Sequence, residues 1–113
     1  MTAFADNSFR DCSNLKKVTL PANVTTFGDN VFMGCIKLTD VAFATTSGIT
    51  AIGPNAFDGC VLLTPASAQA LVSKATDIRA NAFDGCALIN NLTFVDAAIT
   101  QILADAFANC PAL

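Results

Sequence analysis

Large apolar residues recur along the chain with a period of 23 to 26 residues. Within each period, inward and outward positions first alternate, which predicts a short β-strand because successive strand side chains point to opposite faces. Such strands are predicted at 18–20, 41–43 and 92–94, and Pro21 is expected to end the first. A second apolar pair then predicts a second extended segment, and a phenylalanine follows it.

Four positions keep a fixed spacing in five copies of this period. The cysteines are 23, 25, 26 and 24 residues apart: Cys12, Cys35, Cys60, Cys86 and Cys110. A phenylalanine stands three residues before each one: Phe9, Phe32, Phe57, Phe83 and Phe107. An aliphatic residue stands three after: Leu15, Leu38, Leu63, Ile89 and Leu113. A large apolar residue stands five before each phenylalanine: Phe4, Phe27, Ile52, Ile78 and Ile102. The pattern indicates a repeat array, in which stacked coils bury a shared core.

Small residues predict how the backbone turns within each copy. The residue before each cysteine is Gly, Asn or Asp, which tolerate positive φ: Asp11, Gly34, Gly59, Gly85 and Asn109. Two residues before each phenylalanine stands a residue of the type that caps helices: Asn7, Asn30, Asn55, Asn81 and Asp105. Three residues separate these two positions, so we expect one helical turn of 3₁₀ type that directs its phenylalanine inward.

The period divides the 113 residues into about four and a half coils of one solenoid, residues 1–113. The expected coils span residues 4–26, 27–51, 52–77, 78–101 and 102–113. The sequence shows neither a signal peptide nor a polar capping segment at either end, although solenoids normally need capped ends. We therefore expect a segment of a longer array, or ends that another chain covers.

The repeated residues resemble a known family. The most complete copy reads Leu38-x-x-Val41-x-Phe43, then Ile49-Thr50-x-Ile52-Gly53-x-Asn55-Ala56-Phe57-x-Gly59-Cys60. This pattern resembles the BspA-like leucine-rich repeat, the Treponema pallidum type, and the resemblance covers essentially the whole chain. It implies a leucine-rich-repeat solenoid. It also implies a cell-surface or secreted protein associated with adhesion to host proteins and other cells.

The third copy departs from the pattern at 64–75, where a strand is due. Thr64 suits a helix N-cap, Pro65 suits the first helical position, and the alanines that follow favour helix. The favoured interpretation is a short helix that interrupts the regular strand face. The alternative is a degenerate strand in which Ala66 and Ala68 replace the missing inward residues.

The five cysteines allow several chemical interpretations. Stacked coils lie close enough for disulfides, but the number is odd and cysteines in one register point inward in parallel. Zinc sites favour paired spacings such as C-x-x-C, and a thiol nucleophile needs a base, neither of which the sequence offers. A buried column of reduced thiols is therefore the prediction, since free cysteine is among the most buried residue types.

Composition restricts the function further. Hydrophobic residues make up 53% and charged residues 13% of the chain, so burial is expected and disorder is not. Histidine is absent, which removes Ser-His-Asp and Cys-His catalysis and histidine metal sites. The net charge of −3 argues against nucleic acid, and the apolar runs are too short to insert into a membrane. We expect neither an enzyme nor a cofactor.

Two functional hypotheses remain. The first is a protein-binding or adhesion module whose partner is a protein, such as a host or cell-surface protein, or a glycan. The second is a structural subunit that stacks end to end or docks into a larger assembly. For the first, the candidate partner-facing positions are the outward residues of the strand face and of the third-copy segment. They are Lys17, Thr19, Asp40, Ala42, Gln69, Lys74, Asn91 and Thr93.

Overall fold

The structure, a computed structural model, describes residues 3–21, 25–43, 51–92 and 101–113. Within these ranges the chain forms seven short strands and one helix. In chain order they are β1 (Ala3–Phe4), β2 (Lys17–Leu20), β3 (Thr26–Phe27), β4 (Asp40–Phe43), β5 (Ala51–Ile52), α1 (Pro65–Lys74), β6 (Asp77–Ile78) and β7 (Gln101–Ile102). The elements recur with the sequence period, as expected for stacked coils.

The strands form two parallel sheets. One has five strands in the order β1-β3-β5-β6-β7, and the other pairs β2 with β4. The register pairs equivalent residues of neighbouring coils, such as Ile52 with Ile78 and Val18 with Val41. The predicted strands at 18–20 and 41–43 are thus confirmed. Most of the third, at 92–94, lies outside the described residues, and Leu92 belongs to no strand.

The side of the solenoid that carries the phenylalanines and cysteines, here called the turn side, consists of consecutive turns that are hydrogen-bonded between coils. In the third coil, the N–H groups of Asn55, Phe57 and Gly59 donate to carbonyls of the next coil at 2.7 to 3.0 Å. The N–H groups between them close turns onto the carbonyl three residues earlier, at 3.1 to 3.2 Å. Backbone donors therefore alternate between the next coil and their own coil.

This alternation corrects the expectation of a one-turn 3₁₀ helix. A 3₁₀ helix needs successive N–H groups to bond within the segment, whereas here every second one donates to a neighbouring coil. The capping assignment is also wrong. An N-cap residue has extended backbone, but φ is positive throughout this column: Asn7 61°, Asn30 62°, Asn55 57°, Asn81 59° and Asp105 60°.

Asn55 shows why this position takes Asn. It is the third residue of the turn from Gly53 to Ala56, after Pro54, and a type II turn requires positive φ there. The residues before the cysteines were also predicted to be left-handed, and this is confirmed: Asp11 59°, Gly34 77°, Gly59 80°, Gly85 79° and Asn109 55°. Each coil thus turns twice through a left-handed residue.

The core runs through the stack as columns of identical side chains. The phenylalanine rings of successive coils stack with centroids 5.2 to 5.5 Å apart and planes within 12° of parallel. Phe32, Phe57 and Phe83 are completely buried. The strand residues Leu20, Ile52 and Ile78 are also completely buried, so the sheets and the turns share one core.

In the third coil the helix α1 replaces the first strand, so the degenerate-strand alternative is wrong. Thr64 caps the helix by accepting a hydrogen bond from the N–H of Ser67 at 3.2 Å, and Pro65 begins it. The helix packs through Ala68, Leu71 and Val72, which are buried in the common core. It therefore fills the core space that the inward residues of a strand occupy in other coils.

Candidate interaction surface

Four of the predicted partner-facing residues lie together on the β2–β4 sheet. The register pairs Lys17 with Asp40 and Thr19 with Ala42. Lys17, Thr19 and Asp40 are exposed, and Ala42 is partly exposed. The strand alternation explains this, since the intervening Val41 is buried. The result is a small outward surface of two charged and two small side chains.

The remaining four predicted residues are less tightly grouped. Gln69 is partly exposed on α1, where its side-chain amide donates to Ser73 Oγ at 2.8 Å. Lys74 is the last residue of the same helix, which packs against β4. Asn91 is exposed but belongs to no strand, and Thr93 lies outside the described residues. The structure thus joins the strand positions to α1 in one layer, here called the β2–β4–α1 face.

Ser67 joins the helix to the sheet, a role that sequence reasoning missed. Its hydroxyl oxygen accepts the N–H of Val41 at 3.0 Å and the hydroxyl of Thr64 at 2.9 Å. The Ser67 side chain also lies 3.4 Å from the carbonyl oxygen of Thr39. Because α1 supplies no strand to pair with β4, the Val41 N–H would otherwise be a buried, unsatisfied donor. The available signal was a serine within the first helical turn, next to a sheet edge that had lost its partner.

The cysteines form the predicted column of free thiols. Cys35, Cys60 and Cys86 are completely buried, whereas Cys12 and Cys110 are partly exposed. The Cys60 thiol donates to the carbonyl of Phe32 at 3.1 Å, and that carbonyl also accepts the N–H of Cys35 at 3.2 Å. Burial raises the pKa of Cys60 and Cys86 far above the ordinary thiol value. Both thiols are therefore protonated donors rather than nucleophiles.

The acidic side chains of Asp58 and Asp84 interact electrostatically on the turn side. Burial, and secondarily Asp84, raises the pKa of Asp58. The Asp84 carboxylate accepts from the Asn109 side chain at 2.9 Å. In the described part of the chain, no three Cys or Asp side chains gather where they could hold a metal ion. The same residues enclose no cavity.

The described residues contain no helix both long and apolar enough to cross a membrane. The one helix they contain, α1, has ten residues. A bilayer-spanning helix needs about twice that length.

Comparison with solved structures places the chain beside three bacterial leucine-rich-repeat proteins. The T. pallidum leucine-rich-repeat protein TpLRR is 23% identical, with a TM-score of 0.78. A leucine-rich cell-surface protein from Faecalibacterium prausnitzii is 23% identical, with a TM-score of 0.69. A leucine-rich-repeat protein from Bacteroides ovatus is 21% identical, with a TM-score of 0.73. Each match covers this whole chain, which spans 50%, 41% and 28% of those chains, respectively.

These likenesses establish the repeat fold. No curated protein matched the chain. The family model described as "BspA type Leucine rich repeat region (6 copies)" matches residues 1–113. The fixed columns of Phe and Cys, the inter-coil hydrogen bonds and this match agree, and the chain belongs to the BspA-type leucine-rich-repeat family.

Proposed function

We propose that this chain is a non-catalytic protein-binding module of a cell-surface or secreted leucine-rich-repeat protein, with a role in adhesion. The observation that carries the proposal is that the core residues of each coil repeat and the outward residues do not. The repeated apolar residues of the central coils pack in the core, whereas the outward residues of the β2–β4–α1 face differ from coil to coil. Such a scaffold presents a variable surface on a constant frame.

Two further observations support a binding role. The sequence contains no histidine and burial keeps the Cys60 thiol protonated, so a buried Cys–His pair is not available. The F. prausnitzii neighbour is described as a cell-surface protein, which supports a similar location for this chain. A glycan is the other partner class that a polar outward surface would suit.

The single module is expected to bind weakly. The β2–β4–α1 face lacks Trp, Tyr and Arg, the residue types that dominate strong interfaces. Binding strength would then come from several arrays acting together. The test is to print a panel of extracellular proteins and glycans, and to compare this chain with a tandem of two copies. A tandem that binds much more strongly supports the proposal, and equal binding by both contradicts it.

A matched pair of variants locates the contact on that panel. Asp40→Lys changes an exposed carboxylate on the β2–β4–α1 face, whereas Asp29→Lys makes the same change on the turn side of the same coil. A partner on this face should respond to the first substitution and not to the second. The same response to both substitutions would show only an effect of overall charge.

A further inference from the structure

A second outward surface lies where each coil turns after its cysteine. In every coil, the N–H three residues after the cysteine donates to the cysteine carbonyl, at 3.1 to 3.3 Å. In the three central coils both ends of this turn are completely buried, so the two residues between them project outward. These outward residues include four large apolar side chains, here called the apolar corner: Ile36, Val61, Leu62 and Leu88.

The fold does not require apolar residues at this corner. Their exposed fractions are 48% for Ile36, 40% for Val61, 42% for Leu62 and 44% for Leu88, so none of the four belongs to the core. Turn positions are usually Gly, Asn, Asp or Ser, and the first coil has Ser13 followed by an asparagine at this site. The first coil makes the same turn with polar residues, so packing does not explain the apolar ones.

The four side chains form one surface because their coils are neighbours. Hydrogen-bonded strands lie about 4.8 Å apart, so equivalent residues of adjacent coils are in contact range. Four large side chains at this exposure present a few hundred Å² of apolar area, about the size of the largest patch on a typical monomer. A standard interface needs about 800 Å² from each partner, so the corner alone is too small for a second copy of this chain.

The charges beside the corner are unequal. Lys37 belongs to the same turn as Ile36. Lys17 begins β2 in the preceding coil, and Lys16 directly precedes it. These are three of the six cations of a chain whose net charge is −3. All three are exposed, and the two ion pairs in the described residues use arginines instead. One end of the corner is therefore basic, although Asp40 lies opposite Lys17 in the neighbouring strand.

We propose that the apolar corner is a second docking surface of this module, an inference that rests on the proposed binding function. Its occupant is a short segment of a partner protein with apolar side chains, ending in carboxylates where it meets Lys16, Lys17 and Lys37. The apolar part buries the four exposed side chains, and the carboxylates complement the unpaired lysines. A bilayer is disfavoured because the chain as a whole is acidic.

The test uses a synthetic peptide of three aspartates followed by alternating leucine and serine. Methyl and amide NMR of the labelled 113-residue chain reports both weak binding and its location. Shifts at Leu62 and Leu88, and weaker binding when lysines replace the aspartates, support the proposal. Shifts at Thr19 and Ala42 instead would overturn it while leaving the proposed function intact. Absence of binding by all peptides at millimolar concentration would also overturn it.

Matched variants separate docking from folding. Leu62→Ser is expected to weaken peptide binding about tenfold, because one of four apolar contacts is lost. Ile102→Ser removes a side chain of similar exposure, 46%, from the last coil and is expected to change binding less than twofold. Lys37→Glu is expected to remove the preference for the acidic peptide. Equal loss in the Leu62 and Ile102 variants, with unchanged melting temperatures, would contradict the assignment.

Two other occupants are distinguishable in the same variants. Sedimentation that reveals a dimer abolished by Leu62→Ser would assign the corner to a second copy. Binding to phosphatidylcholine–phosphatidylserine vesicles that Leu62→Ser abolishes would assign it to a membrane surface. Either result overturns the proposal. A protein that stays monomeric, does not bind the vesicles and binds the acidic peptide supports it.

Discussion

On the turn side of the solenoid, successive coils repeat the same residues, whereas on the β2–β4–α1 face they do not. Every coil has a phenylalanine, a left-handed residue and a cysteine on the turn side, and alternate N–H groups of the first four coils bond to the next coil. The β2–β4–α1 face consists of β2 in the first coil, β4 in the second and the helix α1 in the third. The turn side cannot change in one coil without disturbing two neighbours. The β2–β4–α1 face tolerates the replacement of a strand by α1, because the Ser67 hydroxyl accepts the hydrogen bond from the Val41 N–H at the edge of β4.

Because the turn side repeats in every coil, we expect the largest loss of stability from a substitution in the phenylalanine column. Phe57→Ala removes a fully buried ring that stacks on Phe32 and Phe83, and should cost about 3–5 kcal/mol of unfolding free energy. Phe107→Ala should cost less, because Phe107 is partly exposed and stacks on Phe83 alone among the described rings. Urea unfolding of both variants measures the difference. Equal losses would contradict a linear stack of coils.

Alkaline pH should weaken the turn side through its thiols. Burial raises the pKa of Cys60 and Cys86, so the folded chain retains protons that the unfolded chain releases above about pH 8.5. Stability is therefore unaffected by these groups below that pH and falls as the pH rises further. We expect a loss of about 2 kcal/mol per buried thiol between pH 7 and pH 10, measured by urea unfolding.

The control for this loss is the double variant Cys60→Ala/Cys86→Ala, in which the alkaline decline should largely disappear. Ellman's reagent provides an independent check. The native chain should leave its three buried thiols unreactive, and guanidinium should expose all five. Rapid reaction of Cys60 in the native chain would contradict the buried column.

On the β2–β4–α1 face, the largest loss of stability is expected on substitution of Ser67. Ser67→Ala leaves the N–H of Val41 buried without an acceptor and should cost about 1–3 kcal/mol. The matched control is Ser73→Ala, on the exposed side of the same helix, which should cost about 0.5 kcal/mol or less. Hydrogen exchange of the Val41 amide should accelerate only in the Ser67 variant. Equal costs in the two variants would show that Ser67 matters only for helix formation.

The smallest effects are expected on the outward residues of β2 and β4. Thr19→Ala and Asp40→Ala change exposed side chains outside the core, so the melting temperature should change by less than the equivalent of about 0.5 kcal/mol. The same variants should alter partner binding if this surface is used. A large loss of stability from either substitution would show that the β2–β4–α1 face tolerates substitution as poorly as the turn side.

Much of the fold could be predicted from residue spacing. The phenylalanine and cysteine columns, the two strands β2 and β4 and the helix begun by Thr64 and Pro65 all follow from patterns within one or two coils. The Asn55 column was misassigned because Asn suits both an N-cap and a left-handed turn position. The choice between them depends on whether the following N–H groups bond within the coil or to the next coil.

The surfaces were harder to predict than the core. The four strand positions of the β2–β4–α1 face followed from strand alternation, and they do lie together. The apolar corner was missed because the repeat pattern includes the cysteine and the aliphatic residue three after it, but not the two residues between them. Val61 and Leu62 reveal their exposure only once the turn from Cys60 to Leu63 is known. The partner-facing positions stay predictions until binding is measured.

The sequence by itself determined the repeat, because each coil must supply the same side chains to a core shared with its neighbours. It also determined the helix at Thr64 and Pro65, since caps and prolines act locally. Only the tertiary structure decided the direction of each backbone N–H and the exposure of the residues after each cysteine. Both depend on the coil above or below, and a pattern within one coil does not contain that neighbour.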